Sequence, residues 1–202
     1  MFTIGITGGS GGGKTSALRA LQSLGALTLD CDAIYHELLV NDVELKSELG
    51  TRFNGVLRDD TIDRMRLGEI VFADSSALLE LNSITHKYIS KEIARRISDG
   101  EAQGFNIVAI DAIALIESGR SEKCDVVVGV TAPTDVRVSR IMVRDGITHE
   151  QAEMRIKAQK PNSFFEENCD YLLKGIYSEP EIFEEVCKEF FIELIGGYLD
   201  AG

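Results

Sequence analysis

The stretch from Gly8 to Thr15, GGSGGGKT, places five glycines ahead of one lysine and one hydroxyl group. An ordered glycine costs about 0.5–1 kcal/mol relative to alanine, so this density indicates either disorder or a backbone shape that side chains forbid. Gly8, Gly13, Lys14 and Thr15 match G-x-x-x-x-G-K-[ST], a pattern whose backbone N–H groups bind phosphate oxygens. The pattern predicts Lys14 at the β- and γ-phosphates of a nucleotide and the Thr15 hydroxyl on Mg²⁺. The predicted nucleotide-binding residues of this loop are Gly11, Gly12, Gly13, Lys14, Thr15 and Ser16.

The residues on either side decide between a phosphate loop and a flexible glycine linker. Phe2 to Ile6 is a short apolar run typical of a β-strand. After the loop, an apolar stripe at helical spacing stops at Gly25, a suitable residue for the position after a helix C-terminus. The stripe consists of Ala17, Leu18, Leu21 and Leu24. A strand, a glycine-rich turn and a helix that opens with Lys-Thr favour the phosphate loop.

Two acidic residues follow the next apolar run. Ala26 to Leu29 leads directly into Asp30-Cys31-Asp32. In an open parallel sheet the carboxyl ends of the strands surround the ligand crevice, so both acids should face the bound phosphates. In an extended segment, residues two apart point the same way, and we expect the pair to bind metal or an acceptor hydroxyl. Helix N-capping is the alternative role for either aspartate.

A basic segment runs from Arg137 to Lys160, with six basic and three acidic residues in a chain of net charge −12. Arg140 and Arg144 are four residues apart, so they share one face of a helix and could converge on one phosphate chain. A plain solvent-exposed helix is the alternative. A mobile cationic cover of this kind is what a kinase needs to exclude water and to neutralise phosphate charge.

The order of the remaining elements predicts the fold class. Asn106 to Asp111 and Asp125 to Val130 are apolar strands, Tyr171 to Leu173 is a weaker one, and an amphipathic helix follows Pro180. Strands separated by helical stretches indicate a parallel sheet with helices on both faces. We expect an α/β fold of the P-loop NTPase class, three-layered α/β/α and like a nucleotide kinase. The core would comprise 1–32, 105–136 and 161–202, with a helical acceptor-binding insertion at 33–104 and a lid at 137–160.

Composition excludes several classes of protein. A net charge of −12 over 202 residues argues against a partner among nucleic acids or anionic membranes. No apolar run approaches the 18 residues of a membrane span, and the N-terminus shows no secretory pattern. The four cysteines have neither zinc-binding nor C-x-x-C spacing, so reduced thiols are expected. We expect a monomer in the cytoplasm.

Three classes of enzyme use such a loop: GTPase switches, motor ATPases and kinases. The D-x-x-G and N-K-x-D strings typical of GTPases are absent from the sequence, and a motor ATPase usually needs a longer chain. A kinase fits best, because the helical insertion, the two aspartates and the basic segment supply its parts. A kinase for another small acceptor and a nucleotide-binding regulator with little hydrolysis remain as alternatives.

The motifs together are similar to those of one family. From Ile4 to about Tyr171 the sequence resembles the dephospho-CoA kinases, which phosphorylate the ribose 3′-hydroxyl of dephospho-CoA in the last step of coenzyme A synthesis. The resemblance lies in ITGGSGGGKTS, in DCD at 30–32, in RMRLGEIVF at 64–72, in Thr85-His86, in DAIALIESG at 111–119, in RIMVRDG at 140–146, in QAEMRIKAQ at 151–159 and in Cys169-Asp170-Tyr171.

The resemblance implies specific roles. It assigns ATP and dephospho-CoA as substrates with Mg²⁺, and Asp32 as the base or orienter of the 3′-hydroxyl. It places Arg140 and Arg144 in the lid and Arg64 and His86 near the acceptor; Lys14 and Arg140 join Asp32 as catalytic residues. The chain departs from the usual family pattern at Lys87, at Ala112 to Ile116 and at Leu173 to Gly175. The third departure replaces an asparagine that usually follows the last strand.

Overall fold

A computed structural model describes residues 1–201 of the chain, and these form two compact units. The first unit comprises Met1–Leu29 and the chain from Glu101 onward, and the second comprises Asp30–Gly100. Five strands form one sheet in the order β2-β5-β1-β6-β7, and two form a separate hairpin. The strands are β1 (Phe2–Thr7), β2 (Leu27–Asp30), β3 (Leu57–Arg58), β4 (Thr61–Ile62), β5 (Ile107–Asp111), β6 (Val126–Thr131) and β7 (Tyr171–Lys174).

Nine α-helices within residues 1–201 lie between and after these strands. They are α1 (Lys14–Ser23), α2 (Cys31–Asn41), α3 (Val43–Arg52), α4 (Arg64–Ala73), α5 (Ser75–Ala102), α6 (Thr134–Asp145), α7 (His149–Lys157), α8 (Asn162–Asn168) and α9 (Pro180–Ala201). Gly25 has φ 83°, as expected of a residue just beyond the end of a helix. Pro180 opens α9, where its missing N–H has no helical partner to lose.

The sheet buries its alternating side chains on two faces. Ile4 and Ile6 are fully buried in one apolar cluster with Leu21 of α1 and Phe183 of α9. Gly5 points to the opposite face, where a Cβ would meet the side chains of Leu115 and Cys124. The parallel sheet with flanking helices confirms the predicted fold class.

The register of the parallel pairs places the carboxyl ends of three strands at one edge. Ile6 lies opposite Asp111 of β5, and Thr7 lies opposite Gly129 of β6. The Thr7 hydroxyl donates to the carbonyl of Ile113, which fixes the chain that leaves β5 beside the end of β1. Since β1 ends at Thr7, the glycine-rich loop begins at this edge.

The Asp30–Gly100 unit has its own apolar core. Leu45, Leu49 and Val56 are fully buried there, within a cluster that includes residues of α2, α3, α4 and α5. The sequence pattern predicts helix throughout this region, whereas the structure also contains the antiparallel hairpin β3–β4. Its turn residues Asp59 and Asp60 have positive φ, which is the geometry of a two-residue hairpin turn.

A buried lysine holds this hairpin. Lys46 of α3 is 5% exposed, and its Nζ donates to the carbonyl of Asp60 at 3.0 Å and to its carboxylate at 2.9 Å. The lysine thus satisfies two acceptors in a turn whose residues are not glycine.

None of the helices within residues 1–201 has both the length and the apolar composition needed to span a membrane.

Candidate active site

The glycine-rich loop is a tight turn between β1 and α1. Gly8 has φ 139° and Gly13 has φ 110°, values that side chains rarely adopt. Lys14 is the first residue of α1, and its Nζ donates to the Gly8 carbonyl at 2.9 Å. The lysine therefore reaches back over the loop, with its ammonium group where the loop begins.

Residues of β6 and α9 lie in close contact with the loop backbone. A Cβ at Gly8 would overlap the carbonyl of Val130 at the end of β6, and a Cβ at Gly12 would lie 2.6 Å from the same oxygen. A Cβ at Gly13 would lie 2.7 Å from the ring of Phe183. The glycines are therefore required by contact as well as by backbone angle.

The first turn of α1 presents one hydroxyl outward and one inward. Thr15 is exposed. Ser16 is 7% exposed, its hydroxyl donates to the Pro180 carbonyl at 3.2 Å, and its N–H donates to Gly13. The Gly12 N–H donates to the Gly9 carbonyl within the loop. Gly12 and Ser16 thus stabilise the loop through bonds inside the protein, while Thr15 faces solvent.

Arg140 of α6 lies against the loop. Its guanidinium donates to the Gly11 carbonyl at 3.1 Å and to the Tyr177 carbonyl at 2.7 Å, and burial lowers its pKa. Gly175 lies beside this guanidinium: a Cβ at Gly175 would overlap the carbonyl oxygen of Gly12 and would lie 3.3 Å from Arg140 Nη1. Gly175, one of the three residues that depart from the family pattern after the last strand, is thus a position where this backbone leaves no room for a side chain.

Arg144 has different partners from Arg140, although the two share α6. It forms a two-pronged pair with Asp145, with Nε to Oδ1 at 2.7 Å and Nη2 to Oδ2 at 2.9 Å. Arg155 of α7 also contacts Asp145. The hydrogen bond from Arg144 holds the pKa of Asp145 at about 2 and in turn raises the pKa of Arg144. The convergence of both arginines on one phosphate chain stays a prediction.

Two residues of the 137–160 segment contact the loop without having been predicted as site residues. Arg137 donates to the Ser10 carbonyl, and Gln159 contacts both Arg137 and Ser10. Each of these hydrogen bonds joins residues more than twenty positions apart in the sequence, so the spacing of residues within the segment does not indicate the contact. The only sequence signals were the basic charge of the segment and the last letter of QAEMRIKAQ.

The two aspartates after β2 have unlike roles, which corrects one geometric expectation. Asp30 is the N-cap of α2, and its Oδ1 accepts from the N–H groups of Asp32 and Ala33 at 2.8 and 3.0 Å. The helix begins at Cys31, so the pair is not in an extended segment and the side chains do not project together. The capping alternative holds for Asp30, and Asp32 is the exposed acid in the first turn.

Arg64 and His86 lie on other helices of the Asp30–Gly100 unit. Arg64 opens α4 and is exposed. Burial raises the pKa of Tyr35, and the nearby charge of Arg64 lowers it by a smaller amount. Tyr35 follows Asp32 by three residues on α2, so the two are neighbours on one helix face. His86 is half-buried on α5, beside the buried Thr85. The structure thus brings Arg64 close to the helix that carries Asp32.

Asp111 lies at the sheet edge where the phosphate loop begins, since it ends β5 opposite Ile6. Thr15 and Asp111 offer a hydroxyl and a carboxylate, the oxygen ligands that Mg²⁺ prefers. Within the described residues no group of three or more His, Cys, Asp and Glu side chains could hold a metal. Because Mg²⁺ usually keeps water and phosphate oxygens as ligands, one hydroxyl and one carboxylate fit it.

The chain matches known proteins over most of its length. The family model described as dephospho-CoA kinase matches residues 2–175. The dephospho-CoA kinase of Geobacter sulfurreducens is 36% identical over 163 residues, covering 80% of this chain and 83% of that protein. Two solved structures share the fold: TT1252 from Thermus thermophilus (TM-score 0.80, 27% identity, 96% and 97% coverage) and dephospho-CoA kinase from Campylobacter jejuni (TM-score 0.69, 25% identity, 97% and 98% coverage).

Proposed function

The chain belongs to the dephospho-CoA kinase family, and we propose that it transfers the γ-phosphoryl group of ATP to the ribose 3′-hydroxyl of dephospho-CoA, giving coenzyme A and ADP. The match over residues 2–175 carries this proposal, because it spans the phosphate loop, the Asp30–Gly100 unit and the basic segment together. The same match supports ATP and dephospho-CoA as the substrates. We propose a monomer that acts in the cytoplasm, in keeping with four free cysteines.

ATP binds at the loop between β1 and α1. The N–H groups of Gly11, Gly13 and Thr15 bind the phosphate oxygens, and the N-terminus of α1 favours their negative charge. Gly12 and Ser16 keep the loop in shape through the internal bonds described above. When the phosphates arrive, Lys14 exchanges the Gly8 carbonyl for the β- and γ-phosphate oxygens.

Thr15 and Asp111 would hold Mg²⁺. The ion, when bound, supplies positive charge that offsets the charge on the β- and γ-phosphates. Thr15 gives its hydroxyl oxygen from α1, and Asp111 gives a carboxylate from the end of β5. Water and phosphate oxygens would supply the remaining ligands.

Asp32 orients the 3′-hydroxyl of the acceptor and accepts its proton. The 3′-oxygen attacks the γ-phosphorus, the bond from that phosphorus to the β,γ-bridging oxygen breaks, and the hydroxyl proton passes to the Asp32 carboxylate. Since phosphoryl transfer has a loose transition state, orientation of the hydroxyl contributes more than proton removal. Arg64 and His86 bind the acceptor on the same unit as Asp32.

The arginines of α6 complete the site. Arg140 already contacts the loop through Gly11, so it is placed to stabilise charge on the transferred group. Arg144 is held by Asp145, and we propose that nucleotide phosphates draw it from that carboxylate when the 137–160 segment covers the site. Such cationic clamps stabilise charge that develops in the transition state.

One assay tests the proposed function. Purified protein is incubated with ATP, Mg²⁺ and dephospho-CoA, and the product is examined by mass spectrometry and for a 3′-phosphate. We expect coenzyme A to form at about 1 s⁻¹ or faster, within ordinary enzyme turnover. ATP binding with no coenzyme A formed would contradict the assigned acceptor and would favour another small hydroxylated substrate.

A further inference from the structure

Ser10, at the tip of the phosphate loop, is held by both ends of the basic segment. Arg137 stands at the start of that segment and Gln159 near its end. The Arg137 Nε donates to the Ser10 carbonyl at 2.9 Å, and the Ser10 N–H donates to Gln159 Oε1 at 2.9 Å. Gln159 Nε2 donates to the Ser10 hydroxyl at 2.8 Å. All three polar groups of Ser10 are therefore engaged by two side chains.

The two side chains also bond to each other. Arg137 Nη2 donates to Gln159 Oε1 at 2.9 Å, so this one amide oxygen accepts from the arginine and from the loop. The four hydrogen bonds form a closed network, which we name the Ser10 clamp: Ser10, Arg137 and Gln159. Removal of one member leaves the others with unsatisfied polar groups, so the members act as a unit.

Arg137 is an unusual residue for this place. It is 3% exposed, burial lowers its pKa, and its hydrogen-bond partners among residues 1–201 are the neutral Ser10 and Gln159. Burying a guanidinium is costly unless its charge is offset by a partner or serves a function. With neutral partners, the charge stays available to attract an anion at the adjacent loop.

The loop fits closely over the clamp. A Cβ at Gly9 would overlap Arg137 Nη2 and would lie 3.0 Å from Gln159 Oε1. A Cβ at Gly11 would lie 2.8 Å from the Arg137 carbonyl. The loop backbone therefore rests directly on the clamp at two of its glycines.

We propose that Arg137 and Gln159 are positioning residues that fix the phosphate loop in its ATP-binding conformation and anchor both ends of the 137–160 segment to that loop. The proposal rests on the proposed function only in taking ATP as the ligand. A loop of five glycines has many conformations to lose when it binds phosphates, and the clamp fixes it beforehand. Because both ends of the segment contact Ser10, they stay attached to the phosphate loop when the middle of the segment moves.

The test measures ATP binding in the absence of acceptor. Calorimetry with ATP and Mg²⁺ is carried out on the full chain and on Gln159→Leu, Arg137→Met and Ser10→Ala. The matched controls are Gln22→Leu and Arg19→Met, which change the same residue types on the exposed face of α1. Steady-state kinetics on the same proteins give kcat and the KM for each substrate.

We expect Gln159→Leu and Arg137→Met each to raise the Kd for ATP about tenfold, which corresponds to about 1.4 kcal/mol. Ser10→Ala should raise it about threefold, because the backbone bonds of residue 10 remain. The double variant, which combines Gln159→Leu and Arg137→Met, should bind ATP more weakly than either single variant. Its rise in Kd should nevertheless be smaller than the product of the two single rises, since both changes remove the same Arg137–Gln159 bond. The KM for dephospho-CoA should stay within twofold, as should the Kd for ATP of both controls.

A purely structural role gives a different pattern. If the variants melt earlier but the folded protein keeps its Kd for ATP within twofold, the positioning role is wrong. An equal rise in both KM values would also overturn it. Where Arg137→Met does not fold, Gln159→Leu and Ser10→Ala decide the matter, because both residues are partly exposed. If the parent protein binds ATP but makes no coenzyme A, the acceptor assignment fails while the ATP measurements still test the clamp.

Discussion

In the phosphate loop, the groups proposed to bind ligand belong mostly to the backbone, and side chains from distant elements hold them in place. In the Asp30–Gly100 unit, the proposed groups are side chains, carried by the N-terminal turns of α2 and α4 and by the middle of α5. Gly8, Gly12 and Gly175 have no room for a Cβ, whereas Asp32 and Arg64 are exposed. Steric contacts therefore restrict which residues the proposed phosphate site can contain. The proposed acceptor site depends instead on the exposed side chains that its helices carry. Changes in the first should affect binding and folding together, and changes in the second should affect activity alone.

The largest loss should come from the one charged side chain of the loop itself. Lys14→Ala should lower kcat by about 10³-fold, because it removes a cation that stabilises charge on the transferred phosphoryl group. Stopped-flow or steady-state assays measure the loss, with the exposed Lys123→Ala as the control. A Lys14→Ala enzyme within tenfold of the parent would contradict the catalytic role of the lysine and would show that the loop acts through its backbone alone.

Asp32→Asn tests the acceptor side and should lower kcat by about 10²-fold, within the range of general acid–base groups. The Kd for ATP should stay within a few-fold, because the change lies in the Asp30–Gly100 unit. Calorimetry and turnover measured on one preparation separate the two effects. Asp30→Asn keeps a side-chain oxygen for the N-cap and should change turnover far less. Equal losses of turnover in Asp30→Asn and Asp32→Asn would assign the acceptor role to both aspartates together.

Gly175→Ala tests the steric limit on the phosphate loop. Its Cβ would overlap the Gly12 carbonyl, so the loop or Arg140 must shift, and we expect about 1–3 kcal/mol of lost stability with weaker ATP binding. Gly196→Ala provides the matched control: it lies within α9 with no atom within 4 Å of its Cβ and should gain about 0.5–1 kcal/mol. Denaturant unfolding compares them. Equal stability of the two variants would show that the loop yields without cost.

The smallest effect is expected for a change that touches only the Asp30–Gly100 unit. Tyr88 is buried and donates to Glu48 Oε2 at 2.6 Å, so Tyr88→Phe should cost at most about 1 kcal/mol and leave ATP binding unchanged. The hydrogen bond lowers the pKa of Glu48 and raises that of Tyr88 to about 12.

The two pKa shifts set the pH range of this effect. Since the folded-state pKa of Glu48 is depressed, its contribution is present at neutral pH and is lost as pH falls through the carboxyl range. Since that of Tyr88 is raised, its contribution is present below its ordinary pKa of 10 and is lost as pH rises towards about 12. Thermal melts of the parent and Tyr88→Phe should therefore differ most near neutral pH and converge in acid and in alkali. A difference that persists in acid would assign the effect to packing.

The sequence predicted the phosphate loop because backbone binding leaves a local signature. Five glycines within six residues before Lys14 indicate a backbone shape that side chains forbid, and the strand and helix around them are adjacent in the chain. The fold class followed from the same kind of signal, apolar strands separated by helical stretches. The kinase family followed from motifs spread over the chain.

The residues that the sequence did not predict act over long separations or depend on local geometry. Arg137 and Gln159 contact Ser10 across 127 and 149 positions, and nothing in their spacing shows it. The β3–β4 hairpin has two-residue strands and an Asp59-Asp60 turn in place of the usual Asn-Gly, so its signal was weak. The start of α2 at Cys31 was missed because Asp30 both ends β2 and caps α2, and the spacing of the two acids does not show the capping hydrogen bonds.

The close approach of Gly175 to Gly12 also constrains how this protein can change over generations. A side chain at 175 meets the Gly12 carbonyl and the Arg140 guanidinium, so a larger residue fits there only if a second change moves these groups. Substitutions at 175 are therefore tied to substitutions elsewhere, and a single mutation from glycine meets a steric barrier that a paired mutation avoids.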